Sequence, residues 1–207
     1  MTNSEKNKTM IFSRFERFWH WTQAILIMFM MFTGFGINGA HHLLSYEMAA
    51  IAHRFAAWAL MGLWVFATFW MVTTGEWKQF IPTTRKLLEV VRYYSVDMFK
   101  PDAVHPYRKT RKLKHNPLQR LGYLGLMLLI LPTIWISGLL YLFYNDWPSF
   151  GLENLQLSQV AFVHVAAAFA MLVFFIAHVY LAFTAKPIFK NIKAMLNGYE
   201  EVYPDDT

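Results

Sequence analysis

Four stretches of this chain stay apolar for about twenty residues or more, at about 18–40, 48–72, 118–143 and 160–183. An α-helix rises about 1.5 Å per residue, so ~20 apolar residues match a bilayer's hydrocarbon core, about 30 Å thick. The expected class is all-α integral membrane: a four-transmembrane-helix bundle forming a single domain over residues 1–207. The stretch 74–116 between the second and third spans is polar, basic and aromatic, and predicts a short surface helix around 83–93 followed by an irregular return. No internal repeat or low-complexity segment stands out. Gly34-Phe35-Gly36-Ile37-Asn38-Gly39 spells a dinucleotide-binding pattern. That pattern works only between a strand and a helix, and here it closes a membrane span. Small residues there suit the close approach of a helix or a flat ring.

The composition agrees, being 56% hydrophobic and only 15% charged, which excludes an ordinary soluble domain. There is no cysteine, so disulfides, cysteine-held iron–sulfur clusters and covalently attached c-type haem are excluded. A net charge of +6 would suggest nucleic acid in a soluble protein. Here the distribution of charge matters more. Of 19 Lys and Arg, 17 lie before the first span, in the central loop from Lys78 to Lys114, or after the fourth span, and none lies in 41–47 or 144–159. The positive-inside rule then places both termini and the basic loop 74–116 in the cytoplasm. The partners this implies are membrane lipids and not nucleic acid. Trp19, Trp21, Trp70, Trp77 and Trp147 fall near the expected interfaces, as an aromatic belt does. The first apolar run is too long for a signal-peptide core and is expected to stay as an anchor.

Four histidines lie within the spans: His20, His53, His164 and His178. Ionisable side chains inside a membrane are costly and mark function. His164 and His178 are fourteen residues apart, which on a helix is about 21 Å of rise and within roughly 40° of a whole number of turns. They face one way, one near each edge of the bilayer. By depth, His20 pairs with His178 on the inner side and His53 with His164 on the outer side. Two such pairs suit the iron of two b haems, each haem taking two axial imidazoles. The competing reading is of buried histidines bonded to backbone carbonyls. His41, His42, His105 and His115 lie in the loops and read as solvated.

Haem propionates are anions. Arg54 adjoins His53 and is the candidate partner on the outer half, with Arg17, Arg14 and Arg120 as candidates on the inner side. Snorkelling to lipid phosphates is the alternative. Asn116 and Gln119 open the third span one turn apart, where an amide could donate to a quinone carbonyl. Asn before Pro is also an ordinary helix N-cap.

The chain resembles the two-haem membrane cytochrome b family that forms the gamma subunit of respiratory formate dehydrogenases, to which the anchors of nickel–iron hydrogenases and thiosulfate reductases are related. The resemblance covers nearly the whole chain. It is carried by Arg14-Phe15-Glu16-Arg17-Phe18-Trp19-His20-Trp21, by His53, by Asn116-Pro117-Leu118-Gln119 and by Ser137-Gly138. It continues through the His164–His178 spacing and the tail from Lys186 to Gly198. It implies that the four histidines ligate the haems, and that a quinone sits by the inner haem against Asn116, Gln119 and His178. The chain departs from the pattern in a shorter first outer loop, a longer and more basic inner loop, and Leu118 where the family has a small residue.

The function expected is that of a membrane anchor and electron-transfer subunit. It would join the iron–sulfur and catalytic subunits of a periplasm-facing, formate dehydrogenase-like enzyme to quinone (menaquinone or ubiquinone). No catalytic nucleophile or acid–base pair is expected in the chain itself. One rival is a stand-alone cytochrome b561-type superoxide:quinone oxidoreductase. The other is a non-redox transporter or scaffold.

Overall fold

The computed structural model describes residues 7–100, 104–107, 109–185 and 187–203. In chain order the elements begin with β1 (Asn7–Met10), α1 (Arg14–Ile37), α2 (Tyr46–Thr74) and α3 (Leu87–Ser95). They continue with α4 (Pro117–Gly125), α5 (Leu131–Leu142), α6 (Leu157–Phe183), α7 (Lys190–Asn197) and β2 (Tyr199–Val202). A π-helical turn, Leu126–Ile130, joins α4 to α5. Pro132 lacks an N–H and its ring crowds the carbonyl four residues back, which accounts for the widened turn. The four helices Arg14–Ile37, Tyr46–Thr74, Pro117–Leu142 and Leu157–Phe183 are long and apolar enough to cross a membrane. Large side chains on them point outward, among them Phe55, Val65, Phe69, Leu128, Phe162 and Val173. Such a surface suits lipid rather than water. The all-α membrane class holds.

Span edges moved by a few residues, each for a local reason. α1 starts at Arg14, ahead of the apolar run, because Ser13 and Glu16 form a capping box. It stops at Ile37, before Ala40, where Asn38 caps it and Gly39 turns to φ +81°. The surface helix in the central loop begins at Leu87 rather than near 83. Thr83 holds the Arg85 N–H with its hydroxyl and Lys86 takes φ +60°, a local turn that competes with helix.

The chain forms two compact units. The first takes the described residues within 1–79, 108–114 and 185–207. In it α1 and α2 pack as a hairpin, and the two ends of the chain meet in an antiparallel ribbon, with Lys8 opposite Glu201 and Met10 opposite Tyr199. This ribbon is an addition to the all-α expectation. Trp21 donates to the Met195 carbonyl at 3.1 Å, and Arg17 to the Leu196 carbonyl at 2.6 Å. Lys114, 4% exposed at its side chain, lies between the carboxylates of Glu16 (2.7 Å) and Glu76 (2.8 Å). Glu200 is held by Lys109 and Lys190.

The second unit takes the described residues within 80–107 and 115–184. α5 packs on α6, and α3 on α4. Tyr123 of α4 reaches Phe174 of α6, ring centroids 6.3 Å apart, so the start of the third span meets the C-terminal half of the fourth.

Candidate functional site

His20, His53, His164 and His178 are all half-buried within the spans. Two of them, His53 and His164, share one construction. In the first unit, α1 presents Thr33 to His53 of α2. The Thr33 hydroxyl is fully buried. It lies 3.0 Å from the Phe29 carbonyl, to which it donates, and 2.9 Å from Nδ1 of His53. A hydroxyl has one proton, so with that proton committed to a carbonyl it can only accept from the imidazole. Nδ1 then carries the hydrogen and the lone pair is left on Nε2, the form that binds a metal.

In the second unit α5 presents Ser137 to His164 of α6 in the same way. The Ser137 hydroxyl donates to the Thr133 carbonyl at 2.6 Å and lies 3.0 Å from Nδ1 of His164. The tautomer follows as before. Each hydroxyl is followed by a glycine against the same ring. A Cβ on Gly34 would stand 3.5 Å from Cε1 of His53, and one on Gly138 would stand 3.3 Å from Cε1 of His164. Sequence reasoning singled out the histidines but gave Thr33 and Ser137 no role. The signal was there: a hydroxyl–glycine dipeptide four residues before the end of α1 and five before the end of α5.

Removing these hydroxyls should loosen the metal site without disturbing the spans. Thr33→Val and Ser137→Ala are each expected to weaken haem binding by about ten- to a hundredfold, measured as the rate of haem transfer to an apo-globin acceptor.

The other two histidines have aromatic neighbours. His178 stacks on Phe174 with centroids 6.1 Å apart and planes at 16°, and His20 meets Trp21 edge-on at 5.2 Å. From His178 a run of rings leads through Phe174 and Tyr123 to His115, whose ring lies 5.1 Å from Tyr123 and 5.2 Å from Phe80. His115 is therefore packed among aromatic rings. The expectation of solvated loop histidines also gives way at His41, whose Nε2 lies 2.8 Å from the Phe32 carbonyl with its ring stacked on Phe32. His105 reaches the Tyr94 hydroxyl at 3.3 Å.

Asn116 is 5% exposed and caps α4. Its Oδ1 accepts from the Gln119 N–H at 2.9 Å, while Gln119 Oε1 accepts from the Asn116 N–H at 3.0 Å. The cap therefore fixes which end of the Asn116 amide is which. Arg54 is exposed. Arg17 is engaged by the Leu196 and Ser13 carbonyls, and buried Arg120 by those of His115 and Ile81.

These residues fit haem. The iron needs an imidazole nitrogen that carries a lone pair, and a ring whose Nδ1 hydrogen is given to a hydroxyl, as at His53 and His164, has that nitrogen in Nε2. Gly138 keeps the flank of the His164 ring open where a Cβ would crowd it at 3.3 Å, and Gly34 leaves the His53 ring room that a Cβ would just fill at 3.5 Å. Apolar spans carrying such imidazoles define an integral membrane cytochrome of the b type.

The chain belongs to the prokaryotic cytochrome b561 family, whose model matches residues 11–198. It is 27% identical over 204 residues to the protein named "Putative cytochrome YdhU" of Escherichia coli (strain K12), covering 93% of this chain and 74% of that one. No solved structure matches it. Membership makes the chain a membrane electron-transfer protein and implies haem b.

Proposed function

We propose that the chain carries electrons across the inner membrane between a periplasm-facing partner and quinone, through two b haems. His53 and His164 hold the outer haem, and His20 and His178 the inner one. The observation that carries this reading is the pair of like supports, Thr33–Gly34 at His53 and Ser137–Gly138 at His164. Two histidines on different spans, one in each unit, are prepared in the same tautomer with a glycine against each ring. His178, fourteen residues along α6 from His164, extends the arrangement by about 21 Å. Bound haem supplies one-electron exchange at its iron. The protein's part is to present Nε2, hold the ring orientation through Nδ1, and keep the surroundings apolar. Arg54 is the candidate for the outer propionates.

The resemblance to formate dehydrogenase gamma subunits supports a particular partner. It would be an iron–sulfur subunit with its catalytic subunit, feeding electrons at the outer haem. The distribution of Lys and Arg supports cytoplasmic termini and a cytoplasmic basic loop. Quinone is reduced at the inner edge beside Asn116 and Gln119. The second Nδ2 hydrogen of Asn116, beyond the one given to Tyr94, is the donor available there. Asn116→Asp keeps the N-cap and removes the amide donor. It should raise the apparent KM for quinone about two- to tenfold, the worth of one hydrogen bond, with the haems still reducible by dithionite. An unchanged KM would make Asn116 a cap alone.

The match to the cytochrome b561 family as a whole favours a second reading, a stand-alone oxidoreductase passing electrons between superoxide and quinone. Purification from mild detergent separates the two. The first reading expects iron–sulfur and catalytic subunits to travel with the chain, and the second expects the chain alone to react with superoxide.

A further inference from the structure

Tyr94 of α3 stands where Asn116 and the basic loop meet. Its hydroxyl oxygen lies 3.3 Å from Nδ2 of Asn116 and 3.3 Å from Nε2 of His105. The direction of both bonds can be worked out. The cap commits Oδ1 of Asn116 to the Gln119 N–H, so the other end of the amide is an NH₂ and donates to Tyr94. Nδ1 of His105 lies 3.1 Å from the Tyr107 N–H and accepts from it. In the neutral ring the hydrogen is then on Nε2, which also donates to Tyr94. The phenol oxygen thus receives two N–H donors, and its own O–H is given no acceptor by the bonds among the described residues.

Burial, with Tyr93 adding to it, pushes the Tyr94 phenol above its ordinary value against the lowering effect of the Asn116 bond. Burial likewise draws His105 below its usual value. At neutral pH the phenol is protonated and the imidazole neutral, as the bond directions require. Beside them a pocket of about 230 Å³ is lined by Glu89, Arg92, Tyr93, Asp97, Val104 and Pro106. Val104 and Pro106 in its wall flank His105 in the chain.

We propose that Tyr94 is the catalytic proton donor to a quinone carbonyl bound against Asn116, with His105 as its positioning residue. This rests on the quinone reading above. The balance is simple. The quinone takes two electrons from a one-electron b-type donor and two protons, each C=O becoming C–OH. One proton is the Tyr94 O–H and the other comes from water. The phenolate left behind is held by the N–H groups of Asn116 and His105 until water from the pocket returns its proton. No oxidant beyond the quinone is needed.

The test uses the full haem-loaded chain in detergent with decylubiquinone and menadione as probes. Binding is followed by quenching of tryptophan fluorescence, and turnover by reoxidation of the reduced haem in H₂O and D₂O. Tyr94→Phe should weaken binding about two- to tenfold and slow reoxidation at saturating quinone by about a hundredfold or more. It should also change the solvent isotope effect and leave the haem spectrum unchanged. His105→Ala should slow the same step, and His105→Gln, which keeps an N–H, should restore most of it. Tyr94→Phe with normal affinity, rate and isotope effect overturns the proposal while leaving the quinone reading intact. A wild-type chain that neither binds nor is reoxidised by either probe overturns both. If Tyr94→Phe fails to fold, His105→Ala decides, since normal kinetics there contradicts the assignment.

Discussion

Replacing His164 by alanine should cut the haem content from two per chain to one, and replacing His53 should remove that same haem. Deleting an axial imidazole removes one of the two protein bonds to iron, and the phenol of Tyr141, its ring centroid 6.1 Å from that of His164, is no substitute for an imidazole. The haem held by His20 and His178 should survive, because His178 lies about 21 Å along α6 from His164. His20→Ala and His178→Ala should give the converse spectrum. The measurement is haem per chain by pyridine haemochrome, with the split of the reduced α-band identifying which haem is gone. Joint loss of one haem in His20→Ala and His164→Ala would contradict the depth pairing.

Gly138→Val should lose the same haem as His164→Ala, though it leaves every ligand in place. A Cβ alone would stand 3.3 Å from Cε1 of His164, and the two methyls of valine drive the ring away from Ser137. Gly34→Val acts on His53 in the same manner. The alanine variants grade the effect. At Gly34 a Cβ would sit at an ordinary 3.5 Å, so Gly34→Ala should keep its haem. Gly138→Ala should shift the midpoint potential of its haem, measured by redox titration. Gly62 of α2 has nothing within 4 Å of a Cβ. Gly62→Ala should therefore be neutral or stabilising by up to about 1 kcal/mol, since alanine is the better helix former, and it serves as the control for backbone effects.

Most of the architecture was legible because a membrane span is a long signal. Twenty apolar residues cannot hide, and a histidine inside them draws notice for its cost. The ends were less legible, since hydrogen-bonding groups set them rather than hydrophobicity. The Ser13–Glu16 capping box pulls α1 back into charged sequence, and the Thr83 turn delays α3. The terminal ribbon was illegible for a different reason. Each strand is four residues long, and its partner lies at the far end of the chain. No local pattern announces such a pairing. In the site, the histidines and the Asn116 cap could be read from residue type and position. The roles of Thr33 and Ser137 needed the hydroxyl contacts, although the repeated hydroxyl–glycine dipeptide was in plain view.

The central claim is that this chain carries two b haems, each between two histidines. Purified protein should contain two haems per chain by pyridine haemochrome, with sharp reduced α-bands and low-spin resonances typical of bis-imidazole iron. One haem per chain, or none, or a high-spin iron with a single imidazole, would contradict it.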